Sequence, residues 1–267
     1  MKLRLLLIGV TVLFVFGILT VPSYAKIDPK NCIGVWLFDE GSGEIAKDSS
    51  ENKNDGKIMN GPKWVDGKFG KALSFDGVDD YVNLPTIVST NWSGLTLMAW
   101  VWLELLPNEL SSSYDEILGS TQDLYDMYED KGNNELRVKV TTTAGAERPG
   151  IPTAQLQKKQ WLHIAGVFDS SAGKMMIYMN GKLIDTHNLS GSINGTQYSS
   201  IGAQGGPNGP FTDYHKGLID EVALLNVALS EDEIQSVMDK GLKASLGIAA
   251  VVHSGKLATT WANIKAK

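Results

Sequence analysis

The sequence predicts an all-β protein built from two antiparallel sheets packed as a sandwich, with one short C-terminal helix. Short runs that alternate between two faces, rich in β-branched and aromatic residues, recur along the chain. Turn-forming Gly, Asn, Asp and Ser residues separate these runs at the spacing typical of a sandwich. The 267 residues, 43% of them apolar, are sufficient for the core of one large domain.

The clearest single prediction is a hairpin over residues 161–186. Residues 161–168 are largely apolar on both alternating faces, so this strand is expected to be covered on both sides. Asn180 and Gly181 tolerate the positive φ angles of a type I′ turn, which joins the two strands that follow. The turn sets two apolar pairs opposite each other, namely Tyr178 with Leu183 and Ile177 with Ile184.

The strands before this hairpin are predicted at residues 34–38, 57–59, 63–65, 72–75, 81–84 and 95–103. A polar loop dense in Asp, Asn, Ser and Gly occupies residues 39–55. In strand 95–103, the alternation places Leu97, Ala99 and Val101 on one face and Met98, Trp100 and Trp102 on the other.

Residues 104–160 are the least regular part of the chain. Candidate strands there are 116–119, 124–128, 135–141 and 151–154. In strand 135–141, Leu136, Val138 and Val140 are expected to face the core, while Arg137, Lys139 and Thr141 face solvent or a groove.

The C-terminal part is predicted to hold a short strand at 199–202, a glycine-rich rim loop and a long strand at 217–226. Ser230 and Glu233 form a capping box for a helix at 231–240, which Gly241 ends. Residues 245–267 form a tail whose pattern predicts no particular structure.

Several blocks of the sequence resemble one known family. "WLHIAGVFD" and "MMIYMNGKLI" are similar to the central signature of laminin-G-like, concanavalin A-type jelly-roll domains, and "GVWLFDEGSGEIAKDSSENKNDGKI", "GKFGKALSFDGVDDYVNL", "LTLMAWVW" and "GLIDEVALLNVALSEDEI" resemble its other blocks in the same order. The resemblance covers residues 33–242. It implies a jelly-roll sandwich, in a family whose functions are too diverse to fix an activity.

The N-terminal residues 1–25 have the pattern of an export signal. Lys2 and Arg4 precede an uncharged apolar run at 5–21, and small residues follow at positions 23–25. An uncleaved membrane anchor is the alternative. We therefore divide the chain into a signal at 1–25, a domain at 26–244 and a tail at 245–267, and expect the protein to be secreted, at the cell surface or periplasmic.

The charge of the chain excludes two classes of partner. The formal net charge is -6, and removing Lys2 and Arg4 makes it -8. An acidic domain without a basic run has no electrostatic footprint for nucleic acid or for an anionic membrane, so we expect neither as a partner. Cys32 is the only cysteine, so no internal disulfide can form, and a free thiol is the expectation.

The residues give little support for catalysis, although sandwiches of the resembled type include glycoside hydrolases and polysaccharide lyases. Hydrolysis needs two carboxylates across the scissile bond, and the alternating ExDxxE string of the best-known sandwich hydrolases is absent. The nearest acidic group is Asp123, Asp126, Glu129 and Asp130, which we interpret as a solvated rim. No histidine pair has metal-ligand spacing, and no GxSxG motif is present. We therefore expect a non-catalytic protein.

A binding module for glycan or protein agrees better with the residues. Sugar recognition pairs an aromatic face with charged or amide groups that hydrogen-bond to hydroxyls. The candidate ligand-binding residues are Trp102, Tyr125, Tyr128, Arg137, Lys139, Arg148, Tyr214 and His215.

A metal is the third consideration. The resemblance implies a structural Ca²⁺ site where the N-terminal polar loop meets the last strand, with Asp39, Asn54 and Asp220 as its ligands. The alternative is that acidic and amide side chains of these loops only cap turns. The residues concerned in that alternative are Asp48, Asn52, Asn54 and Asp76.

Together these observations predict an exported, non-catalytic recognition module that binds carbohydrate, with an extracellular glycan or protein as partner. A protein–protein adhesion domain and a diverged glycan-active hydrolase or lyase are the alternatives. The sequence does not indicate the oligomeric state.

Overall fold

A computed structural model describes residues 27–120, 124–206 and 210–248. The predicted signal at 1–25 and residues 249–267 of the predicted tail lie outside the described residues. Within the described part, no helix is both long enough and apolar enough to span a bilayer.

The described chain is dominated by strands, with one α-helix, α1, at Glu231–Ser245. The strands in chain order are β1 Cys32–Trp36, β2 Ile45–Ala46, β3 Gly56–Met59, β4 Lys63–Asp66, β5 Lys71–Asp76, β6 Tyr81–Trp92, β7 Gly94–Leu103, β8 Tyr114–Ser120, β9 Tyr125–Asp130, β10 Glu135–Thr142, β11 Gly145–Glu147, β12 Gly150–Pro152, β13 Trp161–Asp169, β14 Lys174–Met179, β15 Lys182–Asn188, β16 Ile193–Ile201 and β17 Lys216–Leu225.

The strands form two antiparallel sheets, which confirms the predicted jelly-roll sandwich. The first sheet has the order β15-β14-β13-β7-β17-β5-β4, with β1 paired to β17. The second sheet has the order β11-β10-β9-β8-β16-β6-β3-β2, with β12 paired to β10. Strands that are adjacent in a sheet, such as β7 and β17, are far apart in sequence. The sheets therefore depend on long-range pairing, which no local sequence pattern indicates.

The main core lies between the two sheets. The side chains on the inner face of β7 include Leu97 and Val101, and those on the inner faces of β9 and β10 include Met127 and Val138. The sheets approach each other closely at Gly166 of β13, where an added Cβ would lie 2.3 Å from the Val138 Cγ1 atom. Burial of this apolar surface is the main stabilising term, since no disulfide holds the domain together.

A second apolar cluster covers the outer face of the first sheet. Met98, Ala165 and Val167 point outward from that sheet and pack with Ile234 and other residues of α1 and its flanks. This explains why β7 and β13 are apolar on both faces, as predicted. Leu246, past the predicted end of the domain at 244, is buried in the same cluster.

Helix α1 begins as predicted and ends later. The Ser230 hydroxyl accepts a hydrogen bond from the Glu233 N–H, and the Glu233 carboxylate accepts one from the Ser230 N–H, which completes the capping box. Gly241 has a φ of 79°, so it breaks the helix at the predicted place. A further turn follows Gly241 and extends the element to Ser245.

The predicted hairpin is present, with one error of register. Asn180 and Gly181 have positive φ values of 49° and 74°, as a type I′ turn requires. Tyr178 pairs with Leu183 as predicted. The predicted pairing of Ile177 with Ile184 is wrong, because a bulge between Ile177 and Tyr178 places Asp185 opposite Ile177.

The buried side chain of Asp48 organises the N-terminal polar loop. Its two carboxylate oxygens accept hydrogen bonds from the N–H groups of Val35, Ser50 and Asn54 and from the Ser50 hydroxyl, at 2.7–2.8 Å. Cys32 begins the strand next to this loop and is a buried free thiol, as expected. Burial raises the pKa of the Cys32 thiol to about 11, which makes it a poor nucleophile.

Candidate functional site

A polar face on the outer side of the second sheet is created by simple alternation. In β9, Tyr125 and Met127 point into the core, so Asp126 and Tyr128 point outward. Across the ladder, Tyr128 pairs with Glu116 of β8 on one side and with Arg137 of β10 on the other. Asp126 pairs with Lys139 of β10. Charged side chains from three adjacent strands therefore share one surface.

These side chains surround a cavity of about 230 Å³. The residues that line it are Tyr114, Glu116, Asp126, Tyr128, Lys139, Arg148 and Gln204. The set combines two aromatic rings with two carboxylates, two cations and an amide. Small-molecule binding sites usually consist of a pocket that is lined by aromatic side chains and a few converging polar groups.

The charged groups of the cavity are held in place by burial and by pairing. Glu116 and Asp126 are each only 2% exposed. The Lys139 Nζ atom lies 4.0 Å from an Asp126 carboxylate oxygen, and both side chains are buried. Glu116 extends over Gly119, where an added Cβ would lie 2.7 Å from its Oε1 atom. Gly119 thus leaves the space that the Glu116 carboxylate occupies.

The aromatic part of the cavity is a pair of tyrosines. Tyr114 is 42% exposed and meets Tyr128 edge to face, with the ring centroids 5.6 Å apart and an interplanar angle of 83°. Burial raises the pKa of Tyr128 to about 12, so its hydroxyl stays protonated at neutral pH and can donate a hydrogen bond. The pair offers an apolar ring surface beside hydrogen-bonding groups.

The structure brings together only part of the predicted ligand-binding set. Tyr128, Lys139 and Arg148 line the cavity. Arg137 lies beside it on the same face and is ion-paired with Glu135, with 2.8 Å between the Arg137 Nη2 and Glu135 Oε2 atoms.

Other predicted residues lie elsewhere. Trp102 is on the outer face of the first sheet, on the opposite side of the sandwich, where its ring packs edge-on against Trp161 at 5.9 Å. Tyr214 makes a backbone bridge to Glu116 but lines a neighbouring cavity. Its hydroxyl donates a hydrogen bond to the Phe211 carbonyl at 3.0 Å.

Two predicted ligand-binding residues need correction, because the structure buries them completely. Tyr125 is part of the core between the sheets. The His215 side chain points inward, with its Nδ1 atom 2.5 Å from Asp115 Oδ1. As placed, neither side chain can contact a glycan on the surface of the domain.

The prediction that Asp123, Asp126, Glu129 and Asp130 form a solvated rim is wrong for the last three residues, which are buried. Asp126 lines the cavity, Glu129 points inward, and Asp130 binds the Asn133 side chain. Asp123 lies outside the described residues.

Three residues of the cavity were not predicted from the sequence, namely Tyr114, Glu116 and Gln204. For Tyr114 and Glu116 a local signal existed, because alternation around the buried Ile117 places both on the outer face. Gln204 lies in a loop after β16 and had no such signal.

Two of the three predicted calcium ligands flank one turn. Asp39 Oδ1 accepts the Lys71 N–H at 3.3 Å, and Asp220 Oδ2 accepts the Phe69 N–H at 3.0 Å. Asp220 is fully buried, its Oδ1 has no hydrogen-bond partner among the described residues, and burial raises its pKa to about 8. Asn54 instead donates its side-chain amide to the Ile33 carbonyl at 2.8 Å, within the Asp48 loop.

Among solved structures, the chain is similar to the binding domain of Paraclostridial mosquitocidal protein 1, at 15% identity and a TM-score of 0.60 over 79% of this chain and 52% of that one. It is similar to domain 4 of an extracellular arabinanase from Geobacillus stearothermophilus, solved with arabinotriose, at 19% identity and a TM-score of 0.52 over 78% and 98%. It is also similar to the binding domain of botulinum neurotoxin serotype D, at 11% identity and a TM-score of 0.56 over 79% of this chain and 52% of that one.

The chain spans about half the length of the two toxin domains, and at these identities the similarity shows the fold alone. A search of curated proteins found no match. Residues 76–235 match the family described as the concanavalin A-like lectin/glucanases superfamily. This match covers more than half of the chain and agrees with the two-sheet architecture and with the similar solved structures. The chain therefore belongs to the concanavalin A-like lectin/glucanase superfamily.

Proposed function

We propose that this protein is an exported recognition module that binds a glycan at the outer-face cavity around Tyr128. The observation that carries the proposal is the convergence of Tyr114 and Tyr128 with buried carboxylates, a lysine and an arginine on one cavity. Ring surfaces stack on the apolar face of a pyranose or furanose, while the charged and amide groups hydrogen-bond to its hydroxyls. The arabinanase domain, whose structure holds arabinotriose, supports a sugar ligand by analogy of fold.

The charges of the cavity favour a neutral glycan over a polyanion. The two negative charges of Glu116 and Asp126 equal the two positive charges of Lys139 and Arg148. The lining is therefore neutral overall and offers both hydrogen-bond acceptors and hydrogen-bond donors. A polyanionic chain has no cationic group that could pair with Glu116 and Asp126, so these two carboxylates would repel it and lower its affinity. The volume of about 230 Å³ is below the roughly 300–1,000 Å³ typical of enclosing ligand pockets, which suits contact with one or two rings of a longer chain.

A glycan array with neutral arabino-, xylo-, gluco- and manno-oligosaccharides, followed by calorimetry, tests this function. We expect selective binding that Tyr128→Ala and Arg148→Ala each weaken at least tenfold, or about 1.4 kcal/mol. Trp102→Ala is the matched control, since it removes an aromatic side chain from the opposite face. Selective binding that survives Tyr128→Ala and Arg148→Ala but is lost in Trp102→Ala would place the site elsewhere. Binding of protein ligands alone would favour the adhesion alternative.

One observation favours a second candidate, a glycan-active enzyme. Glu116 pairs with Tyr128, two residues from Asp126, so two buried carboxylates face the same cavity. Glycosidases use two carboxyl groups that flank the scissile bond, and the two carboxylates on this cavity are the residue types required. Product release from the same oligosaccharides, abolished by Glu116→Gln while binding persists, would establish this activity. Binding without product release supports the recognition module.

The calcium ion that the family resemblance implies would be held by Asp39 and Asp220 beside the turn at 67–70. The unpartnered buried oxygen of Asp220 fits a cation ligand, whereas the Asn54 side chain donates its amide to the Ile33 carbonyl. The ion would tie the N-terminal loop to the last strand and supply no chemistry. Calcium should raise the melting temperature of the parent but not of Asp39→Ala or Asp220→Ala. Equal melting temperatures for parent and variants, with and without chelator, would remove this proposal.

Export is proposed from residues 1–25 and has its own test. Mass spectrometry of the protein recovered from its native host should give a chain that begins at Lys26. A chain that retains residues 1–25 in the membrane fraction would indicate an anchor instead.

A further inference from the structure

A cluster of two carboxylates and an imidazole lies inside the sandwich, beneath the outer-face cavity. Asp115 of β8, Glu129 of β9 and His215, which directly precedes β17, point inward and are 2%, 0% and 0% exposed. One ligand atom from each residue lies within 4.8 Å of those of the other two. Two consecutive strands and a residue far along the chain thus bring three metal-binding side chains to one point.

The cluster is incompletely satisfied as it stands. Within the described part of the chain, both oxygens of Glu129 and the Nε2 atom of His215 are buried without a hydrogen-bond partner. A buried carboxylate is costly unless a cation or several donors compensate it. No lysine or arginine among the described residues forms an ion pair with Glu129. The two charged groups that act most strongly on Glu129 are Asp115 and Glu109, and both are also negative.

The donor set and its charge correspond to a divalent transition metal. Two carboxylates with a neutral imidazole carry a charge of about -2, which one divalent cation neutralises. An imidazole with two carboxylates is a ligand set that suits Zn²⁺, whereas Ca²⁺ prefers six to eight oxygens. We infer that Asp115, Glu129 and His215 bind a divalent transition metal, with Zn²⁺ as the ion of best fit.

Neighbouring groups hold two members of the cluster in place. The Lys216 N–H donates a hydrogen bond to the second oxygen of Asp115 at 3.0 Å, which fixes that carboxylate. The His215 ring packs edge-on against Phe75, with centroids 6.1 Å apart. Asp115 also lines a cavity of about 250 Å³ that extends to Tyr214, so this cavity reaches one member of the cluster.

A metal at this position would fix the strands that carry the outer-face cavity. Asp115 is next to Glu116 in sequence, and Glu129 is next to Tyr128. Because side chains alternate along a strand, Asp115 and Glu129 lie on the inner face of the sheet, whereas Glu116 and Tyr128 lie on its outer face. The ion would therefore cross-link β8, β9 and the start of β17 directly below the cavity. This inference does not depend on the proposed glycan ligand, because it concerns the inner face of the sheet.

The test uses the full chain without a histidine tag, stripped with EDTA and dialysed. Calorimetry with Zn²⁺ alone should give one equivalent bound to Asp220→Ala, which lacks a proposed calcium ligand, and Zn²⁺ should raise the melting temperature of this variant where Ca²⁺ at the same concentration does not. Glu129→Gln keeps the shape of the side chain and removes its charge, so the variant should fold but bind Zn²⁺ at least 100-fold more weakly. Asp79→Asn, in the acidic turn of Asp76, Asp79 and Asp80, is the control and should bind Zn²⁺ as the parent does.

Cobalt provides a measurement that does not depend on the stability of variants. Co²⁺ added to the stripped parent should give visible absorption bands, and these should change in His215→Asn. Zinc binding by Glu129→Gln with parental affinity would overturn the inference, as would the absence of any metal-dependent shift in the parent. The latter result would mean that Glu129 instead keeps a proton in a metal-free polar cluster.

Discussion

His163 gives a pH dependence of stability whose size follows from the structure. It lies on β13, is 1% exposed, and packs against Trp100 with the ring centroids 5.2 Å apart. Neither ring nitrogen has a hydrogen-bond partner among the described residues. Burial lowers the pKa of His163 from 6.5 to about 3, so the folded protein holds this imidazole neutral across the physiological range.

The sign follows from the two protonation states. The unfolded chain takes up a proton at His163 as the pH falls below 6.5, whereas the folded chain does so only near pH 3. Stability is therefore lost progressively as the pH falls between these two values. At pH 5.0 the interval below 6.5 is 1.5 pH units, which corresponds to a loss of about 2 kcal/mol relative to pH 7.5.

The perturbation is His163→Leu, which removes the titration and no hydrogen bond. Urea unfolding of parent and variant at pH 7.5 and 5.0 isolates His163, because the other titrating groups are common to both proteins. The parent should lose about 2 kcal/mol more than the variant on acidification, or about 4–8 °C in melting temperature. Equal losses in parent and His163→Leu would show that the native imidazole already binds the proton, and would refute the reasoning.

Three further substitutions test the packing and the site. Gly166→Ala brings a Cβ to 2.3 Å from Val138 Cγ1 between the sheets, so urea unfolding should show a loss of about 1–3 kcal/mol, and no loss would mean that the sheets separate freely. Gly119→Ala brings a Cβ to 2.3 Å from the Cγ atom of the buried Glu116, so this side chain must move and calorimetry should show weaker glycan binding, and unchanged binding would remove Glu116 from the site. Ser230→Ala removes the helix cap and should cost about 0.5–2 kcal/mol, whereas a neutral effect would mean that packing alone holds α1.

Most of the fold could be predicted because its signals are local. The alternation in β7 and β13, the Asn180-Gly181 turn and the Ser230 capping box each lie within a few residues of the element they define. The pairing of Ile177 with Asp185 could not be predicted, because a bulge depends on how the hairpin packs rather than on the turn. The pairing of β7 with β17 joins residues far apart in sequence, and it was not predicted.

The candidate site was predicted less completely, because residue type does not say which face of a sheet a side chain takes. Tyr125 and Tyr128 are three positions apart on one strand, so they must lie on opposite faces, and only the packing of β9 shows that Tyr125 is the buried one. His215 appeared to be a loop residue by its neighbours. Its partner Asp115 is 100 positions earlier, which no local pattern can display.

Recognition on the outer face of the second sheet predicts a pattern of hydrogen exchange that the bound oligosaccharide should change there and nowhere else. Amide exchange followed by mass spectrometry compares the parent with and without the tightest oligosaccharide of the array. Protection should concentrate in peptides from β8, β9 and β10 and in the loop that carries Arg148, with β7 and β13 unchanged. Protection confined to the first sheet or to α1 would contradict the account.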